Sequence, residues 1–138
     1  MTEIKWTCIS LIALGLFSGC ATSSRYKMTT NEQLVHGATG VVSVVPTDSN
    51  NTKMRLNIKH LYPANKIRTG ATNYIVWVKP EGSGTYQNVG ALQVDNMLQV
   101  EYATTVPFAS FNVIVTPEAG NHIQTPTGPA ILAKRIIR

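Results

Sequence analysis

The chain is short of acidic residues, of sulfur and of long apolar runs, and each shortage removes a class of function. Seven aspartates and glutamates stand against twelve lysines and arginines in 138 residues, a formal net charge of +5. The pI is near 9.4. Paired carboxylates for acid–base chemistry, or a calcium loop, need acidic residues at set spacings; Asp95, Glu101 and Glu118 form neither pattern. The only cysteines, Cys8 and Cys20, fall within the first 20 residues. The remainder is therefore expected to fold without a disulfide or a cysteine metal site. His36, His60 and His122 lie in separate segments without acidic or thiol companions, whereas a metal site takes three or four ligands at geometric spacing. Ser43, Ser83 and Ser110 lack the turn of a nucleophile elbow. Gly82-Ser83-Gly84 reads as a hairpin tip, because no helix follows whose amino terminus could receive a phosphate. No catalytic residue, metal or cofactor is expected.

The one sustained apolar run, from Ile9 to Phe17, is too short to cross a hydrocarbon core, which takes roughly 20 helical residues. It follows Lys5 and ends in small residues, the architecture of a secretory signal. The sequence Leu16-Phe17-Ser18-Gly19-Cys20 resembles a bacterial lipobox. That resemblance implies cleavage between Gly19 and Cys20, with acyl chains carried on the Cys20 thiol and the new amino terminus. The alternative is an ordinary secretory signal cut after Gly19, leaving a free thiol. One acyl chain holds a protein only marginally and two or more hold it stably. The implied location is the bacterial cell envelope, and Ala21 in place of aspartate points to the outer rather than the inner membrane.

The sequence divides into a signal over 1–19, a lipidated cysteine with a Ser/Thr-rich tether over 20–33, and one domain over 34–138. That length suffices for one core and not two. The cleanest pattern is Lys53 to Lys59, where Met54, Leu56 and Ile58 alternate with Lys53, Arg55, Asn57 and Lys59. Period two with one charged face is a half-buried strand. Tyr74 to Val78 is apolar on both faces, a central strand in which Trp77 is expected to fill the core. Asp95-Asn96 is a hairpin-type pair leading to Leu98, Val100 and Tyr102. Phe111, Val113 and Val115 share a face, and the last strand runs from Ala130 to about Ile137 with Ile131, Ala133, Arg135 and Ile137 on one side. About seven short strands with turn signals between them predict an all-β fold, an immunoglobulin-like or fibronectin-III-like antiparallel sandwich.

The second half resembles a known module, the extracytoplasmic carboxy-terminal domain of anti-sigma-K-type factors. The likeness spans about 73–132. It is carried by Tyr74-Ile75-Val76-Trp77-Val78, by Tyr86 followed by Gly90, and by Thr116-Pro117-Glu118 with Pro126-Thr127-Gly128-Pro129. It implies a β-sandwich on the outer side of the cytoplasmic membrane. Those regulators also carry a transmembrane helix and a cytoplasmic sigma-binding domain, and this sequence contains neither.

Basic residues are scattered singly along the predicted strands, which marks a solvated sheet face with weak attraction for anionic lipid rather than a nucleic-acid patch. Irregular segments are where sandwich domains usually recognise other molecules. Tyr62, the tip at Gly82 and Gly84, and the loop containing His122, Pro126 and Gly128 are therefore the candidate binding positions. Together these features predict a lipid-anchored, non-catalytic envelope domain that works by contact with a protein partner. The alternative is a sensing lipoprotein whose loops recognise a glycan or small molecule.

Overall fold

The computed structural model describes residues 22–138. The signal over 1–19, the cleavage site at Gly19 and the lipidated Cys20 lie outside the described residues. Two antiparallel sheets pack face to face. The first has the order β1 (Ser24–Lys27), β3 (Thr39–Pro46), β4 (Thr52–Lys59) and β7 (Val100–Val106). The second has the order β2 (Thr29–Thr30), β9 (Leu132–Ile136), β8 (Phe111–Glu118), β5 (Asn73–Pro80) and β6 (Gln87–Leu92). A single turn of helix, α1 (Ala64–Ile67), interrupts the connection between β4 and β5. Among the described residues no helix is long and apolar enough to cross a membrane.

The period-two pattern accounts for the core. Met54, Leu56 and Ile58 on β4 are buried while Lys53, Arg55 and Lys59 are exposed. Across the interior they meet Tyr74, Val76 and Val78 of β5 and Phe111, Val113 and Val115 of β8. These positions are opposed in register, Val76 to Val115 and Val78 to Val113. Fully burying one such side chain contributes about 1.5–3 kcal/mol, so the two inward faces supply most of the cohesion of a domain without disulfides.

Several expectations change. Nine strands form among the described residues rather than seven, because the stretch expected to be a tether carries β1 and β2. Ser24 to Lys27 pairs with Val44 to Val41, and Thr29 and Thr30 pair with Ala133 and Leu132. An edge strand needs only one ladder and one apolar face. Tyr26 and the buried Met28 supply that face, so a polar composition does not exclude pairing. The domain therefore begins near Ser24. Asp95-Asn96 does not close a hairpin, since β6 pairs with β5 and β7 pairs with β4. The turn carries the chain from one sheet to the other, with Asp95 Oδ1 accepting from the amides of Met97 and Gln99 at 2.9 Å each. Leu98 sits in that turn at φ 59° rather than on the strand. Finally, β9 stops at Ile136 and turns Leu132 and Ile136 inward, leaving Ile137 53% exposed. The small β2 pairs with one end of β9, which therefore lies between β2 and β8.

Trp77 also lies elsewhere than expected. It is fully buried but sits on the opposite face of β5 from Val76 and Val78, outside the inter-sheet core. The connection over 119–131 folds back across that outer face.

Candidate functional site

The outer face of β8 carries Thr116 and Glu118 two residues apart, the spacing that puts both on one side of a strand. Glu118 is the one charged side chain fully buried among the described residues, with 0% exposure. Its Oε1 accepts hydrogen bonds from the Thr116 hydroxyl at 2.7 Å, the Thr127 amide at 2.9 Å and the Gly128 amide at 3.1 Å. Its Oε2 accepts from the Thr127 hydroxyl and faces Arg68 Nη1 at 3.5 Å. Thr116 in turn accepts from the indole nitrogen of Trp77 at 2.8 Å. Arg68, from the turn after α1, also donates to the Pro117 carbonyl at 3.1 Å and to the Thr127 hydroxyl at 3.0 Å. Gly128 is required here: a Cβ at that position would stand 2.2 Å from the Pro117 carbonyl oxygen.

Burial pushes the Glu118 carboxyl upward, but the hydrogen bonds from Thr127, Thr116 and Gly128 outweigh it and hold the group below the ordinary glutamate value. A charged carboxylate with both oxygens filled is unavailable as a proton donor or a nucleophile. This network fastens the 119–131 loop to β8 and β5.

That loop forms one wall of a cleft of about 710 Å³, and β6 forms the other. Tyr86, Gln87, Gly90, His122 and Gln124 line it, with no carboxylate or ammonium among them. Asn88 ties the walls together. Its side-chain amide donates to the Asn121 carbonyl at 3.0 Å and the Ile123 carbonyl at 3.1 Å, while its oxygen accepts from the Gly90 amide at 3.0 Å. The ammonium of Lys79 stands 5.0 Å over the Tyr86 ring. β6 is the edge of its sheet, with β5 as its only paired neighbour. Its far side has no ladder partner among the described residues, although the Gly90 amide is taken by Asn88 and the Val89 carbonyl by the Tyr102 hydroxyl.

The candidate binding positions do not converge on one place. Tyr62 is 50% exposed in the connection before β5, where its carbonyl accepts from the Tyr74 hydroxyl. Gly82 and Gly84 form the β5–β6 turn at the other end of β5. Eight residues of strand separate those ends, roughly 26 Å. His122 lines the cleft, whereas Pro126 and Gly128 flank Thr127 in the Glu118 network. Among the described residues no three histidine, cysteine, aspartate or glutamate side chains gather as a metal site would require. Sequence reasoning did not single out Arg68, Asn88 or Asn121. No signal in the sequence singles them out, since their partners lie 33 to 59 residues away along the chain.

Comparison with protein-family models and with curated proteins finds no match to this chain.

Proposed function

We propose that the protein is a lipid-anchored, non-catalytic domain of the bacterial cell envelope that holds a partner protein along β6. The observation that carries this reading is the edge strand itself, which has no ladder partner on its far side among the described residues and borders a cleft rich in amide side chains. An extended segment added to such an edge gains main-chain hydrogen bonds, and the adjoining side chains select its sequence. The anchor is the acylated Cys20, and the residue after it, Ala21, favours the outer membrane. In this reading the sandwich is of the kind found in the extracytoplasmic part of anti-sigma-K-type factors, reused on a lipid tail without the sigma-binding domain. No catalytic role is assigned to Glu118, because its acceptors are already filled.

A photo-crosslinking residue placed at Gln87 or Gln124 and activated in intact cells tests this. One adduct of fixed mass at both positions, absent when the same residue replaces Ser83 at the tip, supports a partner in the cleft. The same adducts at all three positions count against it. A second reading, a glycan or small molecule in the same cleft, is favoured by the Tyr86 ring beside hydrogen-bonding amides. A saturable rise in melting temperature with envelope glycans, lost in the Tyr86→Ala variant, selects that reading instead.

A further inference from the structure

The two sheets differ in what covers their outer faces. On the five-stranded sheet the 119–131 loop folds back over Trp77 and Glu118. Among the described residues the four-stranded sheet has no such cover, and its register gathers charge of one sign. Arg25 lies beside Ser43, which lies beside Arg55. Lys27 lies beside Val41, which lies beside Asn57; Lys53 lies beside Val45, and Lys59 lies beside Thr39. Opposed residues of antiparallel neighbours share a face, so Arg25, Lys27, Lys53, Arg55 and Lys59 all project outward, and all five are exposed. The one acid on this face is Glu101, opposite Asn57. Among the described residues the ion pairs are Arg68–Glu118 and Arg135–Glu81, and neither involves this face. Strand geometry puts the five cations in a patch of roughly 20 by 10 Å.

We infer that this face lies against the anionic headgroups of the membrane that holds the protein. The inference rests on the anchored reading above. Two observations choose the occupant. Charge complementarity is one: an array of cations without ion-pair partners among the described residues, three of them (Arg25, Lys53 and Arg55) around a hollow of about 700 Å³, matches a surface of phosphates, each contact strengthening binding by roughly fivefold. The other is the reach of the chain. Ser24, the first residue of β1, follows Cys20 by four residues, which span at most roughly 14 Å. β1 itself carries Arg25 and Lys27, so an anchor at Cys20 leads directly into the charged face. A single-stranded nucleic acid needs stacking rings along its groove, and this face presents no aromatic side chain.

Lysine acetylation read by mass spectrometry tests the inference on the protein as cells make it. The protein is bound to vesicles of phosphatidylcholine alone or of phosphatidylcholine with phosphatidylglycerol. The expected result is severalfold slower acetylation of Lys27, Lys53 and Lys59 on the anionic vesicles, with Lys66 unchanged. High salt or the exposed double variant Lys53→Glu/Arg55→Glu is expected to restore reactivity at Lys27 and Lys59. Equal rates on both vesicles overturn the inference, as does protection by soluble heparin without protection by vesicles. Flotation with neutral vesicles reads the anchor alone. Its failure counts against lipidation, while the difference between anionic vesicles and free solution still decides the face.

Discussion

At the scale of single residues, Glu118 shows how a buried charge is tolerated. Removing a carboxylate from water costs several kcal/mol unless hydrogen bonds and a counter-charge replace the solvent, and here four donors and Arg68 do so. Glu118→Gln brings an amide NH₂ against a shell of donors, the Thr127 and Gly128 amides, Arg68, and two hydroxyls that already accept from Trp77 and Arg68, and it leaves Arg68 without its charged partner. The expected loss is about 2–4 kcal/mol of stability in chemical denaturation. The same network fixes a pH dependence. The folded carboxyl titrates below its ordinary value of 4.5, so the unfolded chain takes up the proton first on acidification. Its contribution is complete above about 4.5 and is lost as pH falls through the lower folded value. Melting temperature should therefore be level with respect to this group near neutrality and should drop below that point, with a shallower acid drop in Glu118→Gln. The residues of this network stand in the sequence as Thr116-Pro117-Glu118 and Pro126-Thr127-Gly128-Pro129. That they close on one another was not legible there, because the contact depends on how the intervening loop folds over Trp77.

At the scale of elements, the strands were legible wherever one face is apolar and the other charged, as along Lys53 to Lys59. They were not legible where a two- or four-residue edge strand borrows its apolar contacts from neighbours, as at Ser24–Lys27 and Thr29–Thr30. Nor does alternation say which sheet a strand joins, and for that reason Asp95-Asn96 looked like a hairpin. The two sheets are instead joined at this point by a side chain. Tyr102 of β7 reaches across the interior and its hydroxyl donates to the Val89 carbonyl of β6. Gly90 makes the approach possible, at φ 150° and with a virtual Cβ only 2.1 Å from the Tyr102 hydroxyl oxygen. Gly90→Ala must move the ring and strain the backbone, an expected loss of about 2–3 kcal/mol. Tyr102→Phe removes one hydrogen bond, about 1 kcal/mol. Because deleting the hydroxyl also removes the nearest clashing atom, the double variant should lose less than the sum of the two. A double-mutant cycle by denaturation measures that coupling; strict additivity would show that the crossing does not depend on the contact.

At the scale of the whole molecule, the distribution of function along the chain follows from where the core ends. Every buried core residue among those described lies between Met28 and Ile136, eight or more positions after Cys20 in the sequence. Folding and anchoring are then separable properties, and one substitution divides them. Cys20→Ala removes the thiol at the expected cleavage point of the lipobox-like sequence and changes none of the described core residues. The expected result is loss of labelling by a fatty-acid analogue and accumulation of precursor in the cell, with an unchanged melting temperature for the folded domain. Normal maturation of the variant would mean that an ordinary signal peptidase cuts after Gly19, and the protein would then be released rather than held. The cationic face gives that outcome a further consequence. A released domain with five unpaired outward cations would still collect on anionic bilayers, but salt would remove it, whereas acyl chains buried in the bilayer resist salt. Extraction of wild-type membranes with salt and then with detergent therefore separates attachment by charge from attachment by lipid.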